Sequence, residues 1–189
     1  MGIFFSIFSS DEVADVELKG NRDTPGYAAL PRFHPALCVG NSIAASVAKE
    51  AGEPFAFVLS AVPPRDAATF VNVPELSSTH EEFYFFDSEG AEKDPDGSLA
   101  RDKIEAGAAA VSAALREIGD GRALVHCSWG QNRSIAICCA WAVIYGGWAP
   151  EDACAYAREA VISSDRRYKP KRPLNNEVFI AIVAELRRS

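Results

Sequence analysis

Apolar and polar positions along the chain fall into short strand-like runs separated by longer helix-spaced stretches. Phe55 to Val62 runs apolar between Pro54 and the Pro63-Pro64 pair, which predicts a buried strand. Upstream, Ala36 to Asn41 predicts a short strand and turn, and Ser42 to Ala51 a small-residue helix closed by Gly52. Phe70 to Val73, ahead of Pro74, predicts a minor edge strand, and the aromatic Phe83 to Phe86 another short strand. Leu99 to Ile118 has helical spacing and stops at Gly119-Asp120-Gly121. The apolar Ala123 to Val125 predicts a strand, and Ile135 to Tyr145 predicts a buried helix. Pro150 opens a further helix to about Ser163, with Glu151 and Asp152 in its first turn. A last amphipathic helix is expected from Pro173 to Arg187, after a basic loop from Arg166 to Arg172. Strands alternating with helices in this order predict an α/β fold, with a mainly parallel central sheet flanked by helices. Residues 1–34 fall outside that pattern: an apolar N-terminal segment, then a polar, irregular lead from Asp11. The folded domain is expected over 35–189.

Composition narrows the class. With 189 residues, 48% of them hydrophobic and 24% charged, the chain suits one globular domain with a full core. A net charge of −7 disfavours nucleic acid as a partner, since a phosphate backbone demands a basic face. The five cysteines, at 38, 127, 138, 139 and 154, have neither zinc-site spacing nor the look of a secreted disulfide framework. No metal or cofactor is expected, and a reducing, cytoplasmic setting fits best. Adjacent Cys138 and Cys139 lie in the apolar helix, where they either fill core space or serve as a redox partner for Cys127. The longest apolar run, Ile135 to Trp148, is too short to span a bilayer and is broken by Gly146-Gly147. A monomer is expected.

The chemistry concentrates in Val125-His126-Cys127-Ser128-Trp129-Gly130-Gln131-Asn132-Arg133-Ser134. A strand, a tight loop and a helix in that order aim backbone N–H groups and a helix N-terminus at one point, which makes an anion site. Cys127 sits where positive potential stabilises a thiolate. Gly130 lets the loop curl, and Arg133 offers a planar fork for two phosphate oxygens. A thiolate below a phosphate cradle implies phosphoryl transfer through a cysteinyl-phosphate.

This run resembles the His-Cys-x5-Arg-Ser/Thr loop of the protein tyrosine phosphatase superfamily, with His126, Cys127, Gly130, Arg133 and Ser134 at the defining positions. Two further segments extend the likeness to dual-specificity phosphatase domains, over roughly Pro35 to Leu186. Leu37 to Ala45 is similar to a Leu-x-x-Gly-Asn-x-x-x-Ala opening. Arg172 to Phe179 is similar to an Arg-Pro…Pro-Asn-x-x-Phe element, but has Leu-Asn where proline is usual, so no role passes to Asn175 or Asn176.

The resemblance implies that Cys127 is the nucleophile and that Arg133 binds the phosphoryl oxygens. It also implies that His126 tunes the thiolate through backbone contacts, or else only organises the loop. Ser134 donates a hydrogen bond to the departing sulfur, caps the helix, or does both. Ser128, Trp129, Gly130, Gln131 and Asn132 complete the cradle through backbone N–H groups. Trp129 is unusual there; it either presents an aromatic face to a phosphotyrosine ring or packs against a neighbouring loop. The general acid of the family is an aspartate after a strand, and Asp87 fits that place, with Asp94 and Asp96 as alternatives. Such an acid contributes roughly 10²–10⁴-fold to rate.

The expected activity is hydrolysis of phosphotyrosine and phosphoserine or phosphothreonine in a phosphorylated protein substrate. Alternatives are a phosphatase of a lipid, glucan or RNA end, and a phosphoprotein-binding protein without turnover. The loop lacks the lysine that a phosphoinositide would favour, and the acidic chain disfavours RNA. Arg166, Arg167, Lys169, Lys171 and Arg172 form either a solvated loop or a docking patch for an acidic peptide. Met1-Gly2-Ile3-Phe4-Phe5-Ser6 fits the N-myristoylation pattern at Gly2. One acyl chain gives only about 10⁴ M⁻¹ of membrane affinity, so the phenylalanines are expected to add a second anchor; the alternative is an apolar strand that packs on the domain, or a disordered tail.

Overall fold

The computed structural model describes residues 26–62, 79–85, 98–164 and 173–186. In chain order the elements are β1 (Tyr27–Ala29), β2 (Leu37–Gly40), α1 (Ala44–Glu50), β3 (Phe57–Val62) and β4 (Thr79–Tyr84). They continue with α2 (Ser98–Glu117), β5 (Ala123–Cys127), α3 (Arg133–Ile144), α4 (Pro150–Ser164) and α5 (Glu177–Glu185). One five-stranded sheet runs β1-β2-β5-β3-β4, with β1 antiparallel to β2 and every other pairing parallel. This is the α/β architecture expected from the sequence pattern.

Period-two alternation sends the strands' side chains to two cores. Leu37, Val39, Phe57, Leu59, Ala61, Ala123 and Val125 pack under α2, α3, α4 and α5. Cys38, Val58 and Leu124 point the other way and pack with Ala44, Ala45 and Ala48 of α1 and with Phe55. Helix α3 lies in the middle of the larger core and is buried from Arg133 to Val143, as its nearly uninterrupted apolar sequence requires.

Three boundaries differ from the sequence pattern. The lead up to residue 34 is not wholly irregular: β1 pairs with β2 along Tyr27↔Gly40, Ala28↔Val39 and Ala29↔Cys38, and Leu30 and Phe33 join the core. The packed unit therefore reaches upstream of residue 35. Gly40 allows this approach, since a Cβ there would come within 2.7 Å of the Gly26 carbonyl and 2.8 Å of Ala44 Cβ. Strand β4 begins at Thr79, four residues before the aromatic run, because an edge strand tolerates the exposed Glu81 and Glu82. Helix α5 starts at Glu177 instead of Pro173. Asn176 is its N-cap, the side chain accepting from Val178 N and Phe179 N. The expected strand at Phe70 to Val73 and the basic loop from Arg166 to Arg172 lie outside the described residues.

Candidate active site

Strand β5 is central in the sheet and ends at Cys127; helix α3 starts six residues later at Arg133. The loop between them lies at the C-terminal edge of the parallel strands, where open α/β sheets bind ligands. Gly130 takes φ 64°, a left-handed conformation open to glycine at little cost. Two loop carbonyls are turned outward: Ser128 O accepts from Ser42 N at 3.3 Å and Gln131 O from Leu174 N at 2.7 Å. Across a planar trans peptide the next N–H points the opposite way, so the amides of Trp129 and Asn132 face away from those outer partners. The sequence thus makes the cradle by spending its carbonyls on the surrounding fold.

Inside the loop, Ser134 Oγ donates to Cys127 Sγ at 3.4 Å. Ser134 lies within α3, whose N-cap is Asn132, so its hydroxyl serves the sulfur and not the helix end. Arg133 is only 5% exposed, and its Nη2 donates to Ser128 Oγ at 3.1 Å. Its Nε and Nη1 are buried and have no hydrogen-bond partner among the described residues. A buried guanidinium without its hydrogen bonds costs several kcal/mol, which an oxyanion seated on the free edge would offset. Cys127 is 2% exposed, whereas Trp129 is 70% exposed. Trp129 is thus largely exposed at the mouth of the loop.

A second turn holds the loop from outside. Asn132 Oδ1 accepts from Asn175 N at 2.9 Å and from Asn176 N at 3.4 Å, and Gln131 Nε2 donates to Asn175 Oδ1 at 3.4 Å. Leu174 is fully buried with φ 51°, a conformation that costs a non-glycine residue roughly 1–3 kcal/mol. Its backbone is fixed on both sides, by the bond to Gln131 O and by Arg158 Nη2 donating to Leu174 O at 2.7 Å. Asn175 and Asn176, to which the sequence assigns no role, thus hold the loop between Cys127 and Arg133 in place.

His126 is fully enclosed beneath the loop. Its Nε2 is 2.7 Å from Ser60 Oγ, and the Cys127 backbone lies beside the ring and favours its protonated form. Burial first, and then the nearby charges of His80 and Arg133, lower its pKa to about 4. It is a neutral organiser of the loop at physiological pH. The unfolded chain therefore takes up a proton below pH 6.5 that the folded His126 takes up only near 4. Stability should be complete above that window and fall as pH drops through it, by roughly 3 kcal/mol. Urea unfolding at pH 7 and pH 5 checks this: His126→Gln should flatten the slope, and equal slopes would contradict it.

All five cysteines are free and buried. Cys138 and Cys139 are fully enclosed in α3, and burial pushes both thiols well above the ordinary range. Asp87, Asp94, Asp96 and Gly2 lie outside the described residues. Of the proposed site, the structure brings together His126, Cys127, Ser128, Gly130, Asn132, Arg133 and Ser134.

Known structures share this architecture. Human DUSP28 is 21% identical with a TM-score of 0.60, the match covering 84% of this chain and 90% of that one. The human tyrosine phosphatase-like serine/threonine/tyrosine-interacting protein is 18% identical with a TM-score of 0.62, covering 84% and 93%. The PTP-2 phosphatase of Cydia pomonella is 17% identical with a TM-score of 0.58, covering 85% and 89%. No protein-family model matches the chain, and no curated protein does. At such identities the likeness establishes the fold, a mostly parallel sheet flanked by helices as in dual-specificity and tyrosine phosphatases.

Proposed function

We propose that the protein is a cysteine-dependent phosphatase of the dual-specificity kind, hydrolysing phosphotyrosine and phosphoserine or phosphothreonine in protein substrates. One observation carries the reading: a buried Cys127, hydrogen-bonded by Ser134, shares a loop with a buried Arg133 whose Nε and Nη1 edge is unpaired among the described residues. Cys127 Sγ attacks phosphorus while the P–O bond to the leaving group breaks, and Arg133 binds the equatorial oxygens throughout. Water then attacks the cysteinyl-phosphate, and Ser134 stabilises the sulfur as it departs. The competing reading is phosphoprotein binding without turnover, which the name of the human interacting protein brings to mind. Cys127 and Arg133 favour catalysis. Vanadate-sensitive release of phosphate from an aryl phosphate tests it, and absence of turnover with retained phosphopeptide binding would select the competitor.

Asp87 is proposed as the general acid, on the support of its place directly after Phe83-Tyr84-Phe85-Phe86. Asp87→Ala should lower kcat by roughly 10²-fold on phosphoserine, whose alkoxide needs a proton. The loss should be far smaller for an aryl phosphate with an activated leaving group. Equal losses on both substrates, or the same pattern from Asp94→Ala or Asp96→Ala instead, would overturn the assignment.

Membrane association through acylated Gly2 is a further part of the proposal, supported by the Gly2…Ser6 pattern and the phenylalanines that follow. Expression with a myristate analogue should label the wild-type chain and not Gly2→Ala. Activity on a soluble aryl phosphate should be equal in the two.

A further inference from the structure

Two strands bring a buried serine and a second histidine to His126. Ser60 on β3 is the direct cross-strand partner of His126 on β5, while His80 on β4 lies diagonally from Ser60 on the same face of the sheet. Ser60 Oγ is 2.7 Å from His126 Nε2 and 2.9 Å from His80 Nε2. Ser60 is 1% exposed and His126 1%, whereas His80 is only half-buried and in reach of water. The hydroxyl has a single proton, so it donates to one ring and accepts from the other. That constraint couples the tautomers of the two histidines.

The geometry points to His80 as a positioning residue for the catalytic loop, which sets the tautomer of His126 through Ser60. This rests on the phosphatase reading for its effect on rate. When His80 donates from Nε2, the Ser60 hydroxyl must donate to His126 Nε2. His126 then carries its proton on Nδ1 and donates it toward the Cys127 backbone at the loop's first residue. In the reverse polarity, His126 donates from Nε2 to Ser60, and Nδ1 has no proton to give to that backbone. Protonated His80 has donors on both nitrogens, so it permits only the first polarity. Neutral His80 permits both.

Burial holds the His80 pKa below the ordinary histidine range. Glu82 on its own strand favours the charged form and partly opposes the effect of burial, while Glu81 is exposed. Strand β3 contributes no ionisable side chain, and β5 contributes His126, with Arg133 beyond it. Helix α2, which packs against β4, carries Arg101, Asp102, Lys103 and Glu105, and α1 carries exposed Lys49 and Glu50. As pH falls toward the range where His126 itself charges, protonation of His80 therefore drives His126 into the loop-supporting tautomer.

The test compares wild type with His80→Lys, whose ammonium donates and cannot accept, and His80→Leu, which cannot donate. Long-range nitrogen–proton NMR of histidine-labelled protein reads the His126 tautomer without any need for catalysis. In wild type the Nδ1–H form should grow as pH is lowered from about 7 to about 5, whereas it should be high and pH-independent in His80→Lys. His80→Leu should show a mixture that pH does not change over this window. With an aryl phosphate, kcat should fall about fivefold in His80→Leu at unchanged KM, the size of one buried hydrogen bond, and recover in His80→Lys. The same His126 tautomer and pH response in all three proteins would overturn the inference, whether or not the protein is a phosphatase. Turnover absent in wild type, with the NMR pattern as described, would instead remove the phosphatase reading and leave the coupling intact.

Discussion

Cys127→Ser is expected to lower turnover of any phosphate ester by at least about 10³-fold while binding of vanadate or sulfate persists. The asymmetry follows from the site. A hydroxyl is a poor nucleophile unless a base takes its proton, and His126, the nearest imidazole, is engaged with Ser60 on one side and lies beside the Cys127 backbone on the other. The oxyanion, in contrast, is held by Arg133 and the loop amides, none of which the substitution removes. Steady-state kinetics with an aryl phosphate, alongside calorimetric titration of vanadate, separates the two effects. Residual activity of more than a few per cent would show that the sulfur is not the nucleophile.

Arg133→Ala should fail in both respects. The guanidinium supplies fixed donors in a dry site and already spends Nη2 on Ser128, so its other edge is oriented before any ligand arrives. Its loss should cost about 10³-fold in kcat/KM and weaken oxyanion binding in parallel. Arg133→Lys should rescue little, because an ammonium cannot reproduce the bidentate fork or the bond to Ser128 together. Vanadate bound as tightly by Arg133→Ala as by wild type would contradict the role given to the buried edge.

The strand, loop and helix around Cys127 are legible in the sequence because their constraints are local. Cysteine, glycine, arginine and serine lie within eight consecutive residues, and their spacing carries the proposed chemistry. What supports that loop was not legible. Asn132 reaches across 43 residues to Asn175, and Ser60 across 66 to His126, and nothing near any of them in the chain announces the partner. Strand β1 is silent in the sequence for a related reason: three residues form a strand only because β2 is there to pair with them. Strand β4 was placed late because its exposed Thr79, Glu81 and Glu82 break the apolar pattern that marks interior strands. Leu174, an ordinary apolar residue by sequence, adopts a glycine-like conformation solely because Gln131 and Arg158 hold its backbone.

The most direct test is to look for the phosphoryl group on sulfur. Ser134→Ala removes the donor 3.4 Å from Cys127 Sγ, which should slow departure of the sulfur more than its attack and let the intermediate accumulate. Mixing this variant with an aryl phosphate, quenching rapidly and mapping peptides by mass spectrometry reads the outcome. The account predicts a phosphoryl adduct on Cys127, formed at least as fast as product appears. Turnover with no adduct on Cys127, or with an adduct on another residue, would contradict it.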